Sequence, residues 1–139
     1  MATVEYRGVT EARASFKDLL DAAAAGNPVG VQRADRRFLV VDAARLRHFL
    51  AGIGPRAEVV VEEDGSWWSL FFPGLPFMGE GESLEAAVED AIVVLREYAE
   101  DWIDRLGAAP SHAGNWGLVQ LVSASDDHQL REWLVGFAR

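Results

Sequence analysis

The stretch from residue 9 to residue 41, VTEARASFKDLLDAAAAGNPVGVQRADRRFLVV, constrains the fold more than any other. Its hydrophobic period changes partway along. Phe16, Leu19, Leu20 and Ala23 recur at helical spacing and give one apolar face. Gly26 stops that helix, and Pro28 cannot continue it. Val29 and Val31 then alternate as in a strand, a turn falls at Ala34 and Asp35, and Phe38 and Val40 alternate back. Thr10 is placed to cap the helix, its hydroxyl taking up a free N–H of the first turn. The spacing predicts one helix followed by a hairpin.

The charge on this stretch needs a reason. Arg13 and Lys17 fall in the first two turns of the expected helix, where the helix dipole prefers anions. They share a face, because positions four apart are neighbours. Arg33, Arg36 and Arg37 crowd the hairpin tip. A docked polyanion would account for all five. For Arg13, a salt bridge to Asp35 or Glu11 would account for it equally well, and a solvated surface is the plain alternative for the cluster.

The net charge of −9 opposes nucleic-acid binding only if it is evenly spread. Up to Gly54 the chain has eight Lys and Arg against six Asp and Glu, a balance of +2; the remainder has five against sixteen, or −11. Such asymmetry predicts two modules with different partners. The first can meet phosphates, whereas the second repels them and suits a basic protein. With no cysteine, disulfides and thiolate zinc sites are excluded. The start, MATVEYRGV, shows no basic-then-apolar signal pattern. No apolar run approaches a membrane span. A cytoplasmic protein without membrane contact is the expectation.

The first third of the chain resembles the N-terminal domain of prevent-host-death (Phd/YefM-type) antitoxins. The residues that carry the resemblance are Thr10-Glu11-Ala12-Arg13, Phe16 with Leu19-Leu20, Gly26 before a strand, Arg33 at the hairpin, and a second helix over 42–50. The resemblance implies a homodimer that binds the operator DNA of its own operon. It places Arg13 on the family's DNA-contacting arginine and Arg33 on its basic hairpin. Local charge adds Lys17, Arg36 and Arg37 to the expected DNA-binding set.

A first short strand is expected at Glu5, Tyr6 and Arg7. Asp42 is the expected cap of the second helix, and Gly52, Gly54 and Pro55 mark the module boundary. Residues 57–63 then read as a strand, Asp64-Gly65 as a hairpin turn, and 67–72 as an aromatic-rich return strand. Phe77 and Met78 start a short third strand. Ser83 caps the longest helix, whose apolar stripe runs from Leu84 through Val88, Ala91 and Leu95 to Ile103 and Leu106, with Gly107 at its end. Residues 108–115 form a loop and 116–122 another strand. Ser125 caps a last helix that packs through Leu130, Trp133, Leu134 and Phe137.

This order is similar to that of HicB-like antitoxin domains, a reduced RNase H-like fold. The carrying residues are Glu63-Asp64-Gly65, Phe72-Pro73-Gly74-Leu75-Pro76 and Gly81-Glu82-Ser83-Leu84-Glu85-Ala86-Ala87. The chain departs from that family at Gly74, where a polar residue is usual, and at Phe77, where a glycine is usual. The fold class expected is α+β: a Phd/YefM-like β-α-β-β-α module over 1–53 and a HicB-like β-β-β-α-β-α module over 56–139.

No catalytic residue is assigned. His48, His112 and His128 are isolated, without metal-ligand spacing or a nucleophile partner. Glu62, Glu63 and Asp64 cluster at one hairpin instead of converging from several elements, as a two-metal site requires. No metal or cofactor is expected. Trp67 and Trp68 are adjacent in a strand and so face opposite sides, one for the core and one for cover elsewhere. The function expected is that of a type II antitoxin that represses its own operon and neutralises a small basic toxin. The alternatives are a stand-alone dimeric transcriptional regulator, whose second module senses a ligand or stabilises the dimer, and a nuclease.

Overall fold

A computed structural model of the chain describes residues 4–136. The chain is mixed α and β, with two three-stranded sheets and seven α-helices among the described residues. It divides into two compact units, Met1–His48 and Phe49–Arg139.

In the first unit, β1 (Val4–Tyr6) leads through α1 (Val9–Ala14) and α2 (Phe16–Ala24) into β2 (Val29–Arg33) and β3 (Arg36–Leu39). Strand β1 pairs parallel to β2, and β2 pairs antiparallel to β3. The two helices cover one sheet face, and Tyr6, Ala12, Leu19, Ala23 and Val29 form the core between them. The single helix expected here is two. Ser15 leaves helical geometry at φ −117° and ψ 27°, so α1 ends and α2 begins around it. The start also differs: Gly8, not Thr10, occupies the N-cap of α1. No side chain caps it; Glu11 in its first turn accepts the Arg7 backbone N–H at 3.0 Å, just ahead of the helix. Leu19 and Ala23 are buried as the spacing predicts, but Phe16 and Leu20 face outward.

Helix α2 ends as the sequence requires. Gly26 adopts φ +88°, and the N–H groups of Gly26 and Asn27 donate to the Ala23 and Ala22 carbonyls, both at 3.0 Å. This double bond pattern needs a left-handed residue, which glycine supplies without strain. Arg45, from the start of α3 (Ala43–Ile53), adds a guanidinium over the free Ala24 carbonyl. Asp42 caps α3 as expected, its carboxylate accepting the Arg45 N–H at 3.0 Å.

The second unit begins with a meander: β4 (Glu58–Val61), β5 (Trp68–Phe71) and β6 (Met78–Gly81), all antiparallel. Gly65 takes φ +74° in the Asp64-Gly65 turn, and Asp64 accepts the Ser66 N–H at 3.0 Å. Helix α4 (Leu84–Asp104) follows; Ser83 caps it, with its hydroxyl accepting the Ala86 N–H at 3.1 Å. It packs on the sheet with Ala87 and Ala91 against β6 and Leu95 beside Leu70. The glycines of β6 set how near it comes. A Cβ at Gly79 would lie 2.5 Å from the Ala91 nitrogen, and one at Gly81 2.5 Å from the Ala86 Cβ. Strand β6 thus continues through both glycines instead of stopping before them.

Beyond α4 the sequence reading needs correction. The helix stops at Asp104 rather than at Gly107, which lies in a short 3₁₀ turn. The expected loop contains a one-turn helix, α5 (Pro110–Ala113), and the stripe's Ile103 is exposed. Residues 116–122 are not a strand but part of helix α6 (Trp116–Ser123). Leu118, Val119, Leu121 and Val122 are all buried, and their spacing of one, three and four is helical. The order of this unit is therefore β-β-β-α followed by further helices, not β-β-β-α-β-α. Helix α7 (Asp127–Gly136) closes it. Its cap is Asp126, which accepts the Gln129 N–H at 2.7 Å while Gln129 Oε1 accepts the Asp126 N–H at 2.9 Å. Ser125 is buried and donates its hydroxyl to the Leu121 carbonyl instead. Leu130, Trp133 and Leu134 pack inward as expected, and Phe137 lies outside the described residues.

Arg96 of α4 ties the helical layer together. Its guanidinium donates to the Val122 carbonyl at 2.6 Å, the Ser125 carbonyl at 2.8 Å and the Asp127 carboxylate at 2.9 Å. Gly79→Val should lower stability by about 1–3 kcal/mol or more, because the added carbons meet α4 backbone that cannot rotate away. Arg96→Ala should cost about 1–3 kcal/mol for the stranded carbonyls. Urea denaturation of each variant measures both losses.

Candidate nucleic-acid interface

Of the five cations singled out by the sequence, the structure leaves all exposed but treats them differently. The break at Ser15 moves Arg13 into the last turn of α1, the end where a helix favours a cation. Its charge is therefore not anomalous for its own helix. Arg13 makes no ion pair among the described residues; neither Glu11 nor Asp35 takes it. Lys17 lies in the first turn of α2 and is paired to Asp21 at 2.8 Å, one helical turn on. The same break removes the continuous helix that would have set Arg13 and Lys17 on one face.

The hairpin carries the other three. Arg33 and Arg36 are directly opposed across the β2–β3 ladder, while Arg37 is opposed to Gln32. Opposed residues share a face and their neighbours alternate. Arg33 and Arg36 thus lie on the side of Val31 and Phe38, and Arg37 on the other side. Two arginines held opposite one another repel. No carboxylate among the described residues is within ion-pair distance of either, and Arg36 instead lies over the Phe38 ring at 5.9 Å. The tip itself is tight: Ala34 has φ +53°, and the Gln32 amide donates to its carbonyl at 2.9 Å.

Arg37 is committed elsewhere. Its Nε and Nη2 donate to the two carboxylate oxygens of Glu5 in β1, at 2.8 and 2.9 Å. The pair crosses β2 directly above Gly30, the register partner of Glu5. A Cβ at Gly30 would lie 2.6 Å from Glu5 Oε1 and 2.7 Å from Arg37 Nη2, so any larger residue there would push the ends of the ion pair aside. Glu5 and Gly30 were not singled out by the sequence reading. A glycine inside a strand, between Val29 and Val31, is the signal that something approaches closely there.

In the second unit, His112 is held in a polar cluster against α4. Its Nδ1 is 2.9 Å from the Tyr98 hydroxyl, which also accepts the Asn115 amide at 2.7 Å. The Trp102 indole N–H donates to the His112 carbonyl at 2.8 Å. These bonds fasten residues 110–115 to α4. The hairpin carboxylates do not converge, and Asp64 spends one oxygen on Ser66. Among the described residues no group of three or more metal-ligating side chains could hold an ion. No helix among them is long and apolar enough to cross a membrane. Trp67 is exposed and Trp68 half-buried, so neither enters the core as one was expected to; Leu70 does.

Fold and surface together define a two-unit α+β protein with cations on its first unit and acids on its second. A family model described as the antitoxin of a toxin-antitoxin system, RelE / RelB, matches residues 1–114, and the chain belongs to this antitoxin family. The match runs well past the first third, through α5. A crystal structure from Syntrophomonas wolfei subsp. wolfei, described as the antitoxin part of a proposed toxin/antitoxin system, shares the fold at a TM-score of 0.75. It is 20% identical and is covered over 96% of both chains. No curated protein matches the chain significantly.

The Glu5–Arg37 pair has a consequence for pH. The neighbouring guanidinium holds the Glu5 carboxyl below its ordinary value. A depressed folded pKa contributes stability that is present above the ordinary glutamate range and is lost as pH falls through the lower folded value. Acid unfolding followed by circular dichroism should therefore lose its Glu5 component in Glu5→Gln. Gly30→Ala, which displaces the pair, should give the same change.

Proposed function

We propose that the chain is a type II antitoxin that represses its own operon and neutralises a toxin encoded with it. The Met1–His48 unit would act as a Phd/YefM-like dimer on operator DNA. The Phe49–Arg139 unit, which begins with the β-β-β-α order of HicB-like domains, would serve the toxin. The same reading places the functional division at 53–56, which keeps α3 (Ala43–Ile53) whole with the first part, and the protein in the cytoplasm.

The observation that carries the DNA-binding half is the facing pair Arg33 and Arg36, held together without a counter-ion among the described residues. Phosphates are the natural partner for such a pair, since guanidinium groups bind them through paired hydrogen bonds. Arg13, exposed and without an ion pair among the described residues, is the third member of this set. Lys17 and Arg37 are less available because Asp21 and Glu5 already occupy them. Arg37 would serve indirectly, by fixing the hairpin that presents Arg33 and Arg36.

Gel-shift titration of the upstream operator fragment tests this half. Arg13→Ala with Arg33→Ala should weaken binding at least ~10-fold at low salt and flatten the fall of affinity with salt. Lys17→Gln should change affinity less than Arg33→Ala does. Unchanged binding by the double variant would remove the DNA-binding role from these residues. Co-expression tests the other half: the neighbouring gene's product should arrest growth alone and cease to do so beside this chain.

A further inference from the structure

The β4–β5–β6 sheet has one face covered by α4 and one left open. Leu70 and its register partner Gly79 lie on the helix side, where Leu70 is fully buried. The alternate positions lie on the other side. There the ladder sets Phe71 between Glu58 and Met78, and Ser69 between Val60 and Glu80. Trp67 continues the alternation of Ser69 and Phe71.

A sheet face that meets only water is ordinarily polar. This one exposes Val60 at 55%, Met78 at 46% and Trp67 at 40% of their surface. Exposed carboxylates flank them: Glu58 and Glu62 on the β4 side and Glu80 on the β6 side. The pattern of an apolar centre with a charged rim is that of a protein-binding surface.

Charge selects the occupant. A second copy of the chain, applied about a two-fold axis, would bring this carboxylate rim against itself. Nucleic acid would be repelled by the same groups. We propose that the open face of β4–β5–β6, centred on Val60, Phe71 and Met78, docks a basic partner protein whose own apolar patch is rimmed by lysine or arginine. Under the antitoxin reading, on which this rests, that partner is the toxin. Apolar contact at the centre supplies the lifetime of the complex, and the carboxylate rim speeds its formation.

The test uses the full chain and the small basic protein encoded by the adjacent gene, with binding kinetics measured at two salt concentrations. Val60→Lys with Met78→Lys should weaken binding about 30-fold or more with an unchanged melting curve. Glu58→Lys with Glu80→Lys should slow association and flatten its salt dependence. Val93→Lys, on an exposed position of α4, should bind as the parent chain does. If the parent chain binds and both face variants bind equally well, the docking face is overturned while the antitoxin reading stands. If the parent chain does not bind the neighbour's product, the toxin-neutralising reading falls and the docking proposal with it. A shift in sedimentation of the free Val60→Lys, Met78→Lys chain, without weaker partner binding, would assign the face to self-association and overturn the proposal.

Discussion

The second unit depends on the close approach of β6 to α4. Gly79 and Gly81 present bare backbone to Ala86, Ala87 and Ala91, so the helix lies against the strand with no side chain between them. That contact fixes which sheet face is interior, because alternate residues of a strand point to opposite sides. Once Gly79 and Leu70 face the helix, Val60, Phe71 and Met78 must face away. The apolar outer face is thus a consequence of register, and a slip of one residue would exchange the two sets. Helices α6 and α7 are then tied to α4 by Arg96.

The first unit solves a different problem, that of holding a small basic hairpin steady. Its core is slight, and two of its members are alanines. The hairpin gains a second anchor in the Glu5–Arg37 fork, which joins the two outer strands across the middle one. One arginine is thereby committed to the fold, while Arg33 and Arg36 at the same hairpin are not. The surface cations of this unit therefore divide into those paired within the fold and those without a counter-ion among the described residues. Their charge alone does not distinguish them.

Much of this was legible in the sequence. The Gly26 stop, the Asp42 and Ser83 caps and the Asp64-Gly65 turn each rest on a local rule, and each is present in the fold. What escaped was decided elsewhere in the chain. Residues 118–122 are apolar on nearly every side, and a fully buried segment loses the alternation that distinguishes strand from helix. Ser15 interrupts a stretch whose composition favours continuing. Among the cations, the Lys17–Asp21 pair was readable from its spacing of four. Arg37 and Glu5 are thirty-two positions apart, and only Gly30 hinted at their meeting.

The N–H of Glu80 has a fixed partner, the Asp90 carboxylate of α4, at 2.9 Å. One backbone donor of the β6 edge is thereby taken by a side chain. Edge-to-edge pairing with another chain loses that bond at β6, and at β4 the exposed Glu58 and Glu62 disfavour an incoming strand of like charge. An edge donor that already has its acceptor offers an incoming strand one hydrogen bond fewer, whatever its neighbours on the open face expose.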